Sequence, residues 1–258
     1  MIKSLGNCVV TGASSGIGRA IAIEFARYGA ARILVHYHRN RSGAEQTANQ
    51  IQDLGGEAFL VSADIGDPRG RQDLVNKAWT ELSSIDAWVN NAGVDVLTGT
   101  LAKADFEQKL QRLWEVDVLG TIALSRVVGA QLQKQTSGEH RPSMLFIGWD
   151  QAAEGMEGDA GQMFGPIKAA VMAFSQSLAQ TLAPQVRVNC VAPGWIQTAW
   201  GQQADPRWHR RAQQQSLLQR WGTPQDVAAM AIHMCSPSAD FITGQVVNVN
   251  GGWNRKPG

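Results

Sequence analysis

The sequence is poor in residues that form covalent or metal cross-links. It contains three cysteines, Cys8, Cys190 and Cys235, without CxxC spacing. Cys8 and Cys190 lie inside apolar runs, so we expect reduced core thiols and not a disulfide framework or a redox pair. The five histidines show no metal spacing either. The sequence therefore predicts no bound metal.

Net charge and long hydrophobic runs are also lacking. The chain has 23 Lys and Arg against 22 Asp and Glu, a net charge of +1 at pH 7. Nucleic-acid binding usually requires a basic excess or a long basic face, so we expect no such partner. No apolar stretch approaches the ~20 residues that cross a bilayer, and the first residues form no charged-then-apolar leader. We therefore expect a cytoplasmic protein without a membrane partner.

Short apolar, β-branched runs recur along the chain and alternate with segments of helical period. The seven runs predicted to be strands are 7–11, 32–37, 57–61, 86–90, 143–148, 186–192 and 245–249. Strands that are apolar throughout and separated by helices indicate a parallel sheet covered on both faces. Because no linker or internal repeat interrupts the alternation, the sequence predicts one doubly wound α/β domain over residues 1–258.

Two stretches stand apart from this alternation. The longest predicted helical stretch runs from Lys103 to about Gln135 and is a candidate subunit interface; a long core-facing helix in a monomer is the alternative. The segment at about 199–222 is polar, rich in Gln and Arg, and follows the sixth strand. At the carboxyl edge of an open sheet, that position favours a mobile cover over a ligand crevice.

A glycine-rich turn follows the first strand directly. The residues TGASSGIG, numbers 11–18, open a helix that we expect to begin near Ile17. Gly12, Gly16 and Gly18 allow a tight turn and a close backbone approach to a diphosphate, which the free N–H groups and dipole of the helix start favour. The order of strand, turn and helix supports a nucleotide site over a plain tight turn.

The glycine spacing resembles that of the short-chain dehydrogenase/reductase family, and four further segments agree with it. These are SADI (62–65), DAWVNNAGV (86–94), RVNCVAPGWIQT (187–198) and FITGQVVNVNGGW (241–253). Together they span nearly the whole chain in the family's order, and the general pattern is most similar to β-ketoacyl-carrier-protein reductases. The resemblance implies a Rossmann-type fold and a homotetramer or homodimer.

The resemblance also implies a set of cofactor-binding residues. They are Gly12, Ser14, Ser15, Gly16, Ile17 and Gly18 at the phosphates, Asp64 and Ile65 at the adenine, Asn91, Ala92 and Gly93 after the fourth strand, and Lys168, Pro193, Gly194, Ile196 and Thr198 beside the nicotinamide. After the second strand an NAD site usually carries an acidic residue, whereas this chain reads HYHRNRSG. Arg39 and Arg41 favour the 2′-phosphate of NADP over NAD; solvated loop arginines are the alternative.

The reaction site departs from the family pattern. The resemblance implies a Ser, a Tyr four residues before a Lys, and an Asn that holds a water on that Lys. Here Lys168 is present, Phe164 takes the place of the Tyr, and Asp117 that of the Asn. Trp149, Asp150 and Gln151 compete for the place of the Ser. Both tyrosines of the chain, at positions 28 and 37, lie in the first βαβ unit, so neither is expected to substitute.

Three groups are candidate replacements for the missing proton donor. Asp150 has an ordinary pKa of about 3.9, which a nearby Lys⁺ would lower further, so we expect a base and not an acid. Lys168 becomes an acid if partial burial lowers its pKa. A water between Asp117 and Lys168 is the third candidate. General acid catalysis is commonly worth about 10²–10⁴ in rate, so its loss would slow hydride transfer without abolishing it.

Three functions remain open at this point. The first is an oxidoreductase acting on a carbonyl/alcohol pair; the second is a cofactor-binding protein without turnover; the third is a lyase or isomerase with Asp150 as base. Phe164 and Trp149 favour a flat or apolar substrate. Aromatic and basic residues in 193–215 favour an anionic one such as an acyl thioester, unless they form a solvated helix face; they are Trp195, Trp200, Trp208, Arg207, Arg210 and Arg211.

Overall fold

The strands of the protein agree closely with the predicted ones. The computed structural model describes residues 5–135 and 140–254. Its strands are β1 (Asn7–Val10), β2 (Arg32–Tyr37), β3 (Glu57–Ser62), β4 (Ala87–Asn90), β5 (Ser143–Ile147), β6 (Arg187–Pro193) and β7 (Val246–Val249). Each strand begins and ends within one residue of the predicted run. The central strands are buried on both faces, whereas β3 and β7, at the two edges of the sheet, are partly exposed.

All seven strands join one parallel sheet in the order β3-β2-β1-β4-β5-β6-β7. The chain adds β2 and β3 on one side of β1 and then returns to add β4 to β7 on the other side. The direction in which strands are added therefore reverses between β1 and β4. In open α/β sheets, ligands bind in the crevice at the carboxyl edge of such a reversal. The predicted Rossmann-type, doubly wound fold is confirmed.

Helices cover both faces of the sheet. They are α1 (Gly16–Arg27), α2 (Arg41–Asp53), α3 (Pro68–Leu82), α4 (Phe106–Leu113), α5 (Thr121–Lys134), α6 (Gln151–Glu154), α7 (Gly158–Leu182), α8 (Ala199–Gln203), α9 (Pro206–Gln215) and α10 (Pro224–Cys235). Helices α1, α2 and α10 pack on one face with Cys8 and Val10, and α3, α5 and α7 pack on the other with Val9. This alternation along β1 explains its unbroken apolar run. The three cysteines are free and buried, as predicted.

The helical stretch before β5 differs in detail from the prediction. It begins at Phe106 and not at Lys103, because Asp105 and Gln108 form a capping box that starts the helix there. Between α4 and α5 the backbone is π-helical over Trp114–Gly120. Such wide turns occur frequently at functional sites, and this one carries Asp117.

The predicted cover consists of two short helices, α8 and α9, that follow β6. Asp205 caps α9 by accepting a hydrogen bond from the Arg207 N–H at 2.8 Å. The segment returns to the sheet through bridges that pair Ile196 with Gly222 and Ser216 with Trp253. Within the described ranges, no helix has the length and apolarity needed to traverse a membrane.

Candidate active site

The glycine-rich turn between β1 and α1 is open at the carboxyl edge of the sheet. Gly12 and Gly16 adopt positive φ angles of 65° and 54°. A Cβ at Gly12 would lie 2.8 Å from the Ala92 Cα, so only glycine fits there. The N-cap residue of α1, Ser15, makes no side-chain capping bond, which leaves the first N–H groups of the helix available to an anion.

Thr11 joins this turn to the turn after β4. Its Oγ1 accepts the N–H groups of Asn91 at 2.9 Å and Ala92 at 3.0 Å. In return, the Asn91 Nδ2 donates to the carbonyl oxygens of Thr11 at 2.9 Å and Gly12 at 3.1 Å. The two predicted cofactor-binding turns are therefore one hydrogen-bonded unit. Sequence reasoning missed Thr11, although its place at the end of a buried strand is a usable signal.

Asp64 follows the carboxyl end of β3, which ends at Ser62. Its Oδ1 accepts the Gly66 N–H at 2.8 Å, and its Oδ2 lies 3.0 Å from Arg112 Nη2. Burial opposes ionisation, but the Gly66 N–H and Arg112 outweigh it and lower the pKa of Asp64. The neighbouring Ile65 is buried, and its carbonyl accepts a bond from Arg71. Arg112 was not predicted, because it comes from a helix distant in sequence.

The two arginines after β2 differ in availability. Arg41 Nε donates to Glu45 Oε1 at 2.8 Å, one helical turn further along α2. Arg39 is exposed, and its side chain makes no hydrogen bond or ion pair within residues 5–135 and 140–254. Of the two arginines, Arg39 is therefore the one whose side chain has no partner within these described residues.

Lys168 and Asp117 form an ion pair at the predicted reaction site. Lys168 Nζ lies 3.6 Å from Asp117 Oδ2 and donates to the Ile147 carbonyl at 3.4 Å. Asp117 Oδ1 accepts the Val94 N–H at 2.8 Å. A Cβ at Gly93 would lie 2.6 Å from Asp117 Oδ2, so this approach requires glycine. A separation of 3.6 Å suits a direct ion pair, and the water between the two groups stays a prediction.

Asp117 is an unusual acid because it is nearly inaccessible to solvent. Its side chain is 4% exposed, whereas that of Lys168 is 18% exposed. Burial raises the pKa of Asp117; the Lys168 charge and the Val94 N–H lower it, but they do not offset the burial. The pair therefore consists of a partly exposed lysine with a poorly solvated carboxyl group behind it.

Phe164 lies on α7 one helical turn before Lys168. It is half-buried against an apolar cluster formed by Val96, Leu113, Val118, Met163 and Ile167. The two tyrosines lie elsewhere: Tyr28 ends α1 and Tyr37 ends β2. Neither element carries the Lys168–Asp117 pair.

The turn after β5 holds the three candidates for the serine position. Asp150 is buried, its N–H donates to the Pro193 carbonyl at 3.1 Å, and its Oδ2 accepts from Asn250 Nδ2 at 2.9 Å. The expected lowering of its pKa by Lys168 is wrong: burial raises the pKa of Asp150 to about 6. Gln151 is also buried, and its Oε1 has no hydrogen-bond partner among the described residues.

The turn after β6 is fixed from two sides. The Gly194 N–H donates to the Val249 carbonyl at 3.1 Å, and a Cβ at Gly194 would lie 2.6 Å from the Asn250 Cβ. Ile196 is buried, and Thr198 is the N-cap residue of α8. Pro193, Gly194, Ile196 and Thr198 therefore lie at the same edge of the sheet as the glycine-rich turn.

The side chain of Arg211, on α9 of the predicted cover, already has partners within the protein. It binds Glu157, the N-cap residue of α7, with Nη2 at 2.9 Å from Oε2, and its guanidinium lies 5.8 Å from the Trp195 ring centroid and 5.4 Å from that of Trp208. The expectation that it receives an anionic substrate is not supported by these contacts. The side chain of Trp200 lies outside the part of the chain that the structure describes.

The parallel sheet with its reversal and the glycine-rich turn at its carboxyl edge are together typical of dinucleotide-binding proteins. A family model described as enoyl-(acyl carrier protein) reductase matches residues 12–254. The 7α-hydroxysteroid dehydrogenase of Escherichia coli is 32% identical over 251 residues, which cover 96% of this chain and 94% of that protein. The 3-oxoacyl-(acyl-carrier-protein) reductase of Aquifex aeolicus is 33% identical over 256 residues, with 95% of each chain covered.

A solved structure supports the same assignment. A 7α-hydroxysteroid dehydrogenase complexed with NADH and 7-oxo glycochenodeoxycholic acid matches with a TM-score of 0.85 at 30% identity, over 98% of this chain and 97% of that one. The chain belongs to the short-chain dehydrogenase/reductase family of oxidoreductases. Within the described residues, no group of three or more His, Cys, Asp or Glu is arranged to hold a metal ion.

Proposed function

We propose that the protein is an NADP(H)-dependent oxidoreductase that interconverts a carbonyl and an alcohol, with the Lys168–Asp117 pair handling the proton in place of a tyrosine. The observation that carries this proposal is the 3.6 Å contact between Lys168 Nζ and the buried Asp117 carboxylate. The bound nicotinamide would supply or accept the hydride. Side chains of this protein would bind the cofactor, orient the substrate and transfer the proton.

The residues at the carboxyl edge fit a dinucleotide. The uncapped start of α1, with Ser14, Ser15, Ile17 and the glycines around it, suits the diphosphate. Asp64 and Ile65 suit the adenine, and Arg39 suits a 2′-phosphate; this arginine is the reason for preferring NADP to NAD. Asn91, Ala92, Gly93, Lys168, Pro193, Gly194, Ile196 and Thr198 line the path toward the nicotinamide.

Lys168 is the proposed proton donor for carbonyl reduction. Its ammonium end is the accessible member of the pair, and Asp117 holds it in place from behind. When Lys168 gives its proton to the developing alkoxide, Asp117 loses its counter-ion in a poorly solvated site. That cost favours rapid reprotonation of Lys168 from solvent, so the pair returns to its starting state. In the oxidation direction, neutral Lys168 accepts the alcohol proton.

Gln151 is the proposed substrate-orienting residue. Because its buried Oε1 has no partner among the described residues, a substrate hydroxyl donating to it would satisfy an otherwise unpaired acceptor. Asp150 is the second candidate, because its Oδ1 is also buried without a partner among the described residues, while its Oδ2 already accepts from Asn250. The substrate class we propose is a small or acyl-linked ketone or alcohol. The names of the relatives, a hydroxysteroid dehydrogenase and a 3-oxoacyl reductase, refer to couples of this kind.

The test is absorbance at the reduced-nicotinamide band across a panel of ketones and alcohols, with product analysis of each mixture. An oxidoreductase consumes one reduced cofactor for each alcohol formed. Cofactor binding without absorbance change or product would indicate a binding protein. Substrate loss without absorbance change would indicate a lyase or isomerase. Either of these two outcomes would refute the proposal.

We also propose that the protein is a homotetramer or homodimer and that it is cytoplasmic. Sedimentation equilibrium of the purified chain tests the first, and fractionation of the source cells tests the second. A monomer at assay concentration would refute the oligomer.

A further inference from the structure

His36 holds the glycine-rich turn from the β2 side. Its Nδ1 lies 3.1 Å from the Gly12 backbone nitrogen, and its Nε2 lies 3.1 Å from the Ala63 carbonyl oxygen. Its own carbonyl accepts the Ala13 N–H at 2.9 Å. The side chain is almost fully buried, with 2% of the residue exposed. One residue thus binds two successive N–H groups of the turn.

The two backbone partners fix the protonation state of the ring. The Gly12 N–H can only donate, so Nδ1 must be unprotonated; the Ala63 carbonyl can only accept, so Nε2 must carry the proton. A charged ring would have no acceptor to offer Gly12. Burial lowers the pKa of His36 to about 4, which keeps the ring neutral at pH 7.

The contact sets the conformation of the turn. Gly12 has a φ angle of 65°, and its N–H points to His36 instead of toward the open side of the turn. Thr47 binds the Ala13 carbonyl at 2.9 Å and Arg19 binds the Ser14 carbonyl at 2.7 Å from the other side. Without an acceptor at position 36, the Gly12 N–H is left unpaired or the turn rotates to find water, and in both cases the diphosphate site is no longer preformed.

We propose that His36 is a positioning residue for dinucleotide binding, which acts through its Nδ1 acceptor on the Gly12 N–H. The inference rests on the proposed function, because it assumes that the glycine-rich turn binds the cofactor. It predicts that loss of the acceptor at position 36 weakens the affinity for the cofactor even in a variant that folds normally.

Two amide variants separate the two ring contacts. In His36→Asn the amide oxygen takes the place of Nδ1 and keeps an acceptor for Gly12. In His36→Gln the amide nitrogen takes the place of Nε2 and keeps the Ala63 bond, but Gly12 loses its acceptor. We expect His36→Asn to bind NADPH within about threefold of the wild-type affinity, and His36→Gln to bind roughly tenfold more weakly, the effect of one lost hydrogen bond.

The measurement is isothermal titration calorimetry of the full chain with NADPH, alongside thermal unfolding of each variant. Ile85→Val, a buried change beside the amino end of β4, is the control for lost stability without lost affinity. Equal dissociation constants for the Asn and Gln variants, or a weaker Asn variant, would overturn the inference and leave the proposed function intact. No heat from the wild-type chain would overturn both.

If His36→Gln does not fold, an experiment on the wild-type chain still tests the inference. Long-range ¹H–¹⁵N correlation spectra of the wild-type chain report which ring nitrogen carries the proton. The inference predicts the Nε2–H form of His36 at pH 7. An Nδ1–H form would exclude the bond from Gly12 and refute it.

Discussion

Phe164→Tyr provides the sharpest test of the proposed reaction site. Phe164 lies one helical turn before Lys168 on α7 and is half-buried against the apolar cluster that contains Met163 and Ile167. The change adds one hydroxyl group and otherwise preserves ring size and packing. If that hydroxyl reaches the substrate carbonyl, the nearby Lys168 cation lowers its pKa and makes it a general acid.

The expected gain follows from the rate that a positioned acid contributes. General acid catalysis is worth about 10²–10⁴, or about 2.7–5.5 kcal/mol of barrier at 1.36 kcal/mol for each factor of ten. The Lys168–Asp117 pair is proposed to supply part of this in the wild-type chain, so we expect kcat for ketone reduction to rise by less than the full amount, about tenfold to a hundredfold. Stability should change by less than about 1 kcal/mol, because the half-buried hydroxyl has Lys168 or water as a partner.

Phe174→Tyr is the matched control. Phe174 lies on the same helix and is also half-buried, but its ring packs edge-on against Phe146 at 5.9 Å. The assay is steady-state NADPH oxidation with the best ketone of the panel. An unchanged or lower kcat for Phe164→Tyr, or an equal rise in both variants, would refute the placement of Phe164 at the donor position.

Three further variants test other parts of the account. Lys168→Met leaves the buried Asp117 without its cation, so the free energy of unfolding by urea should fall by about 3–5 kcal/mol at pH 8. Because burial raises the pKa of Asp117, this loss should shrink as the pH is lowered and protonation removes the unpaired charge; a loss that does not change with pH would contradict the ion pair. Arg39→Ala should erase the larger thermal shift given by NADPH relative to NADH, whereas Arg41→Ala, whose arginine already binds Glu45, should keep it; equal shifts in the wild type would refute the NADP preference. Burial raises the pKa of Asp150 to about 6, so the neutral carboxyl stabilises the fold below pH ~4, and this stabilisation is lost as the pH rises through 6. The free energy of unfolding of Asp150→Asn relative to wild type should therefore increase by up to roughly 3 kcal/mol between pH 4 and pH 8. A difference that does not depend on pH would show that Asp150 is not held in the buried state described.

The sequence was sufficient to predict the sheet because its strands are apolar on both faces. Cys8, Val9 and Val10 are all fully buried, on alternating faces of β1, so the run from which the strand was predicted is the run that packs. The start of the helix after β4 was predicted less well. Its boundary depends on a reciprocal bond between Asp105 and Gln108, and the π-helical turn that follows has no periodic signal.

The sequence placed Lys168 and Asp117 at one site, but it did not predict their electrostatics. The burial of Asp117 is a property of the packed helices, and it raises the pKa of a residue that looks ordinary in sequence. For Asp150 the error came from its burial, which raises the pKa and outweighs the pKa-lowering hydrogen bond from Asn250. Its partner Asn250 lies 100 residues away, and the bond directs the carboxylate toward β7. No local pattern reports such a pairing.

The central claim is that this chain carries out hydride transfer with phenylalanine at position 164. The most direct test is a reaction of the wild-type protein with NADPH that carries deuterium at both C4 positions of the nicotinamide and each ketone of the panel, followed by mass spectrometry of the alcohol. The account predicts one deuterium at the carbinol carbon for each reduced cofactor consumed. Tight NADPH binding without a deuterated alcohol from any ketone would contradict it.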